Sequence, residues 1–578
     1  MNQALRIDVH TSVRTESVAE AFLVLLKDRG VDYFYVGAGT DTAPVIEAYA
    51  RAAEAGLLLP EPILIGHENL AVGMAHGFYM VARRPQAVML HVSVGTANAV
   101  CGLFNAIRAQ VPLLLAAGRT PWFEHGRPGS RTHEVHWAQE MFDQGAMVRE
   151  LVKWDYELRD GLQVADVVDR ALGVATTEPR GPVYLTLPRE VLAQPHDSCQ
   201  VGASVPSASS AHPDPDAVQT LARALAAAEF PVVVCTSSGA DPQTVAQLTE
   251  LADRFGIGVA ENRPRYVSFP SSHPLHLGYD MSAVLPHADA LLFLETDVPW
   301  IPAATAPRAG AFVTLAGSDP LFARYPMRNF ASDLCITSNA SALLAALIPA
   351  LAAIGAQHST AARRLRAQAL GSAVRGDVAA RAQRDTARGG AISKLFLSRC
   401  LDAVRPRDAI VVNEYSAMRE QMGFEEAGSF FQLPSSGGLG WGLPAALGAQ
   451  QAAPGRTVIC VLGDGAYLFA NPAACHHAAA MHRLPVLTVV FNNEAWEGVQ
   501  KAATGMYPQG HAARQAQERR PERLSSLKPV PDFERYCEAS GGYGERVTRR
   551  EDLLPALRRA LHAVRTEGRQ ALLNVIGE

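Results

Sequence analysis

Short runs of β-branched and apolar residues recur along this chain, each followed by a longer segment of helical period. That alternation restricts the fold to a parallel α/β architecture. VDYFYVG at 31–37, AVMLHVSV at 87–94, VPLLLAAG at 111–118 and VYLTLP at 183–188 read as buried strands, with helices over 17–29, 68–82, 96–109 and 163–176. Strands apolar at successive positions need cover on both faces, which crossover helices provide. The pattern resumes with strands at 231–237, 290–295 and 312–317 and helices at about 215–229, 242–255 and 341–353. It returns again with strands at 409–413, 457–463, 485–491 and 571–576. A chain of 578 residues accommodates three such units. The sequence therefore predicts three doubly wound parallel-sheet α/β domains, at 1–193, 215–358 and 389–578, with no internal repeat between them. The Ser-, Pro- and Gly-rich stretch 194–214 reads as a linker, and the Arg/Ala-rich stretch 359–388 as a helical surface connector without an apolar face.

Composition narrows the partner. Lys+Arg 52 against Asp+Glu 57 leaves a formal charge of −5, which argues for a small molecule over nucleic acid or an anionic membrane. The 8 cysteines stand singly, without a C-x-x-C pair, and most read as reduced core residues. The first residues, MNQALRIDVHTSVRTES, carry no long apolar run, and the apolar stretch 341–355 is broken by Pro349. The expectation is a cytoplasmic protein with no membrane span.

The strongest chemical signal is a strand ending in Gly463-Asp464-Gly465 (TVICVLGDGAYLF), followed by a strand ending in Asn492-Asn493 (PVLTVVFNNEAWEG). Polar groups at the carboxyl ends of neighbouring parallel strands lie where such sheets bind ligands. A carboxylate, an amide oxygen and a backbone carbonyl suit a hard cation such as Mg²⁺, and the glycines let backbone N–H groups approach phosphates. Either motif alone would be an ordinary turn or cap.

Together they resemble the G-D-G…N-N signature of the thiamine diphosphate-dependent enzymes, the family of acetolactate synthase, pyruvate decarboxylase and benzoylformate decarboxylase. The resemblance runs along nearly the whole chain. It implies a pyrimidine-binding first domain, a central domain, and a third domain that binds diphosphate and metal. The implied metal ligands are Asp464, Asn493 and Ala495, with Gly463, Gly465 and Ala466 around the diphosphate. SSGGLGWGLPAALGA at 435–449 is similar to the family's glycine-rich segment, which assigns Gly437 to the cofactor's amino group and Leu439 to the wedge beneath it. Glu414 and Ser416 fall where the family approaches the diphosphate.

In the first domain, LIGHENLAVGMAHGFYMV resembles the family's R-H-E-x-x-A box. Glu68 then stands in the catalytic position, hydrogen-bonding the aminopyrimidine ring to activate the cofactor. Family members supply this Glu and the diphosphate site from different subunits, so the resemblance implies a homodimer at least, commonly a homotetramer.

Finer likenesses point towards benzoylformate decarboxylase. LHVSVGTANAVCGLFNA at 90–106 is similar to its histidine segment and gives His91. YVGAGTDTAP puts Thr40 where a substrate-binding serine stands, and FPSSHPLHLG gives His273. The two histidines would carry protons, and Thr40 would bind the substrate carboxylate. Ala502 stands where the aromatic decarboxylase has a phenylalanine, with Gly498 and Val499 beside it, so the pocket is not tailored to an arene. Trp137-Ala138-Gln139-Glu140 resembles the A-F-Q-E of acetolactate synthases, whose glutamine lies near the thiazolium. The run LLFLETDVPWI departs from the flavin-binding pattern, so FAD is not expected. The polar segment 505–528 reads as a lid, with the basic stretch around Arg127, Arg131 and His133 as a solvated loop. Two readings follow. One is a 2-oxo acid decarboxylase that also couples aldehyde units; the other is an acetolactate synthase-like transferase joining two 2-oxo acids. A non-catalytic regulatory subunit is disfavoured by the joint presence of Glu68, Asp464 and Asn493.

Overall fold

The computed structural model describes residues 11–202, 208–355, 358–518 and 523–578. Residues 1–10, on which the reading of the N-terminus partly rests, lie outside that set, as do 203–207 of the linker and 519–522 of the predicted lid.

Before the first sheet comes β1 (Thr11–Arg14). The sheet itself comprises β2 (Tyr33–Val36), β3 (Glu61–Leu64), β4 (Ala87–Leu90), β5 (Leu114–Arg119), β6 (Asp155–Glu157) and β7 (Val183–Pro188), in the order β3-β2-β4-β5-β7-β6. After β8 (Ser198–Val201), the central domain supplies β9 (Pro231–Cys235), β10 (Gly258–Glu261), β11 (Ala290–Leu294), β12 (Phe312–Gly317) and β13 (Leu334–Thr337), in the order β10-β9-β11-β12-β13. The last sheet contains β14 (Ile410–Glu414), β15 (Phe430–Gln432), β16 (Val458–Gly463), β17 (Val486–Asn492), β18 (Tyr543–Val547) and β19 (Ala571–Ile576), in the order β15-β14-β16-β17-β19-β18. All three sheets are parallel throughout.

Taken strand by strand, the first and last sheets share one order, second-first-third-fourth-sixth-fifth. A common topology thus underlies two domains whose sequences show no repeat. In each sheet the order reverses beside the domain's first strand, between β2 and β4, β9 and β11, and β14 and β16. Those three switch points are where an open parallel sheet accepts a ligand.

Two segments differ from the sequence reading. Ser198–Val201, inside the expected linker, pairs antiparallel with Thr11–Arg14 and closes the first domain against its own start. The expected connector is a single helix, Thr360–Arg388, polar on most of its surface. It is anchored by Arg363, 2% exposed, whose guanidinium donates to the carbonyls of Ala226 and Ala228. One and two turns further on, Ala367 and Gly371 are buried too, so the helix does carry a narrow stripe of small residues against the central domain.

The first and third domains are joined by helix Glu68–Ala82 lying on helix Gly442–Ala452. Small residues permit that closeness: a Cβ on Gly77 would meet the Ala445 carbonyl oxygen at 1.9 Å, and one on Gly448 the Met74 oxygen at 2.0 Å. Buried in this seam, His76 packs edge-on against Trp441. Burial lowers its imidazole to about 3, so it is neutral at physiological pH. Among the described residues no helix is long and apolar enough to cross a membrane.

Candidate active site

The switch point of the third sheet opens into a cavity of about 470 Å³ lined entirely by that domain. Glu414, Tyr415 and Ser416 leave β14, Gly463 to Ala466 leave β16, and Asn493 and Ala495 follow β17. The carboxylate of Asp464, 3% exposed, accepts the Gly465 N–H at 2.8 Å and the Ala495 N–H at 3.3 Å. Burial pushes Asp464 up from its ordinary value, against the lowering effect of those N–H donors.

The adjacent asparagines divide their work. Asn492, fully buried, donates to Asn574 at 3.0 Å and accepts the Glu494 N–H, fixing the turn. Asn493 faces the cavity, its amide oxygen within 3.3 Å of the Ala495 N–H. The turn is held further by the bond from Trp496 N–H to the Ser525 carbonyl at 2.7 Å.

Glu414 is buried and accepts the N–H groups of Gly440 (2.8 Å) and Gly442 (2.6 Å), which ties the glycine-rich segment to the end of β14. Desolvation raises its carboxyl to about 7. Leu439 reaches the cavity from that segment, and Gly437 takes a positive φ (+64), where a Cβ would lie 3.5 Å from the Tyr415 hydroxyl. Several lining residues escaped the sequence reading, among them Lys394, Glu497 and Trp496. Lys394 opens helix Lys394–Val404 and donates to Glu497 at 2.5 Å, and Trp496 presses on Gly465, where a Cβ would meet its ring at 2.1 Å. Lysine at a helix start after a serine cap carries no motif, so no sequence signal marked it.

These groups fit a metal-bound diphosphate. Asp464 and Asn493 line the cavity as hard oxygen donors with Ala495 beside them, while Lys394, Ser416 and the glycine backbone of 463–465 offer positive and N–H partners to an anion. Gly498 and Val499 also line the cavity, whereas Ala502 is exposed on helix Glu497–Met506 and outside the lining. Of the predicted lid, residues His511–Gln517 are helical.

A second cluster occupies the switch point of the first sheet. The sequence reading ran β4 on to residue 94, but the strand stops at Leu90 and helix Val92–Arg108 begins at once. Val92 sits at φ +34, a costly conformation for a β-branched residue. Its N–H reaches Asp41 at 3.3 Å, and the same carboxylate holds His91 Nδ1 at 2.5 Å. Asp41 is 2% exposed and directly follows Thr40, yet it escaped the sequence reading. The signal was present in the TDT run but a lone carboxylate there has no spacing to distinguish it. Gly39 is required by this packing, since a Cβ would strike His91 Nδ1 at 2.1 Å.

The hydrogen bond from Asp41 raises the His91 imidazole above its usual value; burial opposes it, and the charges of Asp41 and Glu68 assist. Thr40 is exposed, its carbonyl held by Arg189, which also donates to the Gly129 and Ser130 carbonyls. Glu68 opens helix Glu68–Ala82 behind the cap His67 and accepts the Asn98 amide at 3.0 Å. Gln139 joins through its carbonyl, which accepts the Ser93 hydroxyl at 2.7 Å, while its side-chain oxygen is buried without a partner.

His273 lies apart from these contacts. Its ring packs on Phe269, faces Asp253 at 3.5 Å and accepts the Leu275 N–H, all within the central domain; burial lowers it from its ordinary value. Arg131 pairs with Glu140 and stacks on Trp137, and Arg127 covers Phe123, as a self-contained loop does.

Comparison with known proteins places this geometry. Residues 16–147 match the thiamine pyrophosphate enzyme N-terminal TPP binding domain, and 413–575 match the C-terminal TPP binding domain. The chain belongs to the thiamine pyrophosphate-dependent enzyme family. It is 29% identical to benzoylformate decarboxylase of Pseudomonas aeruginosa, over 95% of this chain and 97% of that protein. Acetolactate synthase isozyme 3 large subunit of Escherichia coli is 23% identical over 95% and 93%. Among solved structures, the thiamine diphosphate-dependent 4-hydroxybenzoylformate decarboxylase of Rhodococcus jostii superposes with a TM-score of 0.75 at 23% identity, over 97% of this chain and 99% of the other.

Proposed function

We propose that this chain is a Mg²⁺- and thiamine diphosphate-dependent 2-oxo acid decarboxylase that also couples the aldehyde unit to a second carbonyl. The observation that carries the reading is the Asp41–His91 pair beside Glu68: a histidine kept prone to protonation at the ligand edge of the sheet. When bound, thiamine diphosphate supplies the electron sink that lets a 2-oxo acid lose CO₂. Asp464, Asn493 and Ala495 would hold its metal. Glu414 and Ser416 would hold the diphosphate end, and Leu439 and Gly437 the remainder of the group. Glu68 exchanges a proton at the aminopyrimidine edge. His91 delivers a proton to the product-forming carbon, and Thr40 binds the substrate carboxylate.

In one chain the Glu68 cluster and the diphosphate cavity are formed by separate domains, and none of the cavity lining comes from the first. Helix Val92–Arg108 also turns an outward stripe of Val94, Ala97, Cys101 and Phe104 to solvent, beside the Asn98 that holds Glu68. Both features support a site completed by a second copy of the chain, in a homodimer or homotetramer.

The buried, unpartnered side-chain oxygen of Gln139, whose backbone carbonyl holds Ser93 two residues after His91, favours a second reading, an acetolactate synthase-like transferase. Supplying the holo-enzyme with a panel of 2-oxo acids, with CO₂ measured and products identified by mass spectrometry, separates the two. Aldehyde with CO₂ is expected. Acetohydroxy acid as the sole product replaces the first reading with the second, and no product at all removes both.

Asp41→Asn tests the pair. A raised folded-state value means that protonated His91 stabilises the fold below its unfolded value near 6.5, and that this contribution fades as pH rises through the folded value. The variant removes the charge, so His91 is expected to titrate at lower pH by NMR, and the basic limb of kcat/KM to move down with it. An unmoved imidazole titration rejects the coupling.

A further inference from the structure

The glycine-rich segment 435–441 forms neither helix nor strand, so its backbone is placed by the groups that bind it. At its start the Ser435 hydroxyl accepts a bond of 2.9 Å from Arg265, a buried residue of the central domain. At its end Gly440 and Gly442 give their N–H groups to Glu414. Between those anchors, residues 436 and 438 are both held by Asn105, near the end of helix Val92–Arg108 in the first domain.

Asn105 is 2% exposed, and both ends of its amide are engaged by this segment. Its Nδ2 donates to the Gly438 carbonyl at 2.8 Å, while Oδ1 accepts the Gly438 N–H at 3.1 Å and the Ser436 hydroxyl at 2.7 Å. One planar group with a donor and an acceptor matches the C=O and N–H of a single residue, which no apolar side chain can do. The approach excludes any side chain at that residue: a Cβ on Gly438 would lie 2.8 Å from both amide atoms. The consequence falls on Gly437, between the two clamped residues. The Gly438 N–H and the Gly437 carbonyl belong to one planar trans peptide and point in opposite directions. Holding the first against Asn105 therefore fixes the aim of the second, away from the helix. The Gly437 N–H is taken by the Pro434 carbonyl at 3.0 Å, whereas among the described residues no group donates to the Gly437 carbonyl.

We propose that Asn105 is a positioning residue for the cofactor: by holding the Gly438 N–H it presents the free Gly437 carbonyl as an acceptor for the amino group of the aminopyrimidine. This rests on the cofactor reading given above and adds to it a first-domain side chain that never touches the ligand. Asn105 and the segment it clamps belong to one chain, whereas in the assembly proposed above Glu68 comes from a second copy. Each first domain then serves two sites, setting the acceptor in its own and supplying the proton-exchanging carboxylate to its neighbour's.

The test uses the full-length protein with saturating Mg²⁺ and titrates two ligands by calorimetry. One is thiamine diphosphate; the other is the analogue that keeps the diphosphate and lacks only the amino group on the pyrimidine. Wild type should prefer the first. Asn105→Ala should weaken thiamine diphosphate about tenfold while binding of the analogue stays within about twofold of wild type, so the preference shrinks. Equal weakening of both ligands, or an unchanged preference, overturns the proposal, because a residue that only supports the fold does not distinguish them. Should Asn105→Ala fold poorly, Ser436→Ala decides in its place, since it trims one exposed hydroxyl from the same clamp. A loss of preference of about threefold is expected there, and none overturns the proposal. Wild type that binds both ligands equally removes the role of the Gly437 carbonyl and this proposal alone; wild type that binds neither removes the cofactor reading as well.

Discussion

Glu68→Gln is expected to cut turnover by about 10²–10⁴-fold, the range that a positioned proton-transfer group contributes, with cofactor affinity and thermal midpoint essentially unchanged. Glutamine keeps the shape and can still accept the Asn98 amide, so the start of helix Glu68–Ala82 keeps its local contacts. The neighbouring glycines enforce the same geometry: Cβ atoms on Gly37 and Gly95 would lie 3.7 and 3.5 Å from the Glu68 side chain, so the wall around it is already close-packed. What the amide cannot do is hold and release a proton at that point. Cofactor titration by calorimetry, paired with single-turnover decarboxylation, separates activation from binding. A variant that binds the cofactor and turns over near the wild-type rate would falsify the role given to Glu68.

Central strands announced themselves because burial on both faces leaves them apolar at every position. VYLTLP and TVICVLG coincide with β7 and β16 to within a residue at each end. Edge strands did not. Glu61–Leu64, Phe430–Gln432 and Tyr543–Val547 are short or partly exposed, so their apolar pattern dilutes into that of the loops. The overrun of β4 has a different origin: Val92 and Val94 are strand formers by composition, and the Val92 N–H is taken where the chain turns by the Asp41 carboxylate, from a turn far away in sequence. The same limit explains the site. Asp464 and Asn493 were legible because motif and strand end coincide, whereas Asp41, Lys394 and Trp496 acquire their places only once β2 meets β4 and β14 meets β16.

Asp464→Asn is expected to separate cofactor capture from folding. The side chain is nearly isosteric and one oxygen can still accept the Gly465 N–H, so the first turn of helix Asp464–Phe469 keeps its anchor. The negative charge is lost, and with it the strongest donor among the oxygens of Asp464, Asn493 and Ala495. Loss of a partner outside the ligand shell costs about 10–100-fold in metal affinity, and a direct ligand should exceed that range. Removing a buried charge relieves desolvation, while the amide NH₂ then faces the Ala495 N–H and the attraction to Lys394 is lost, so the thermal midpoint of the metal-free protein should stay close to level. The wild type should gain stability when Mg²⁺ and thiamine diphosphate are added together, and the variant should show little of that gain. Calorimetric titration of each form measures the first effect and paired melts the second. Wild-type affinity in the variant would place the metal elsewhere, while a collapsed midpoint without cofactor would recast Asp464 as a folding residue whose charge the turn itself requires.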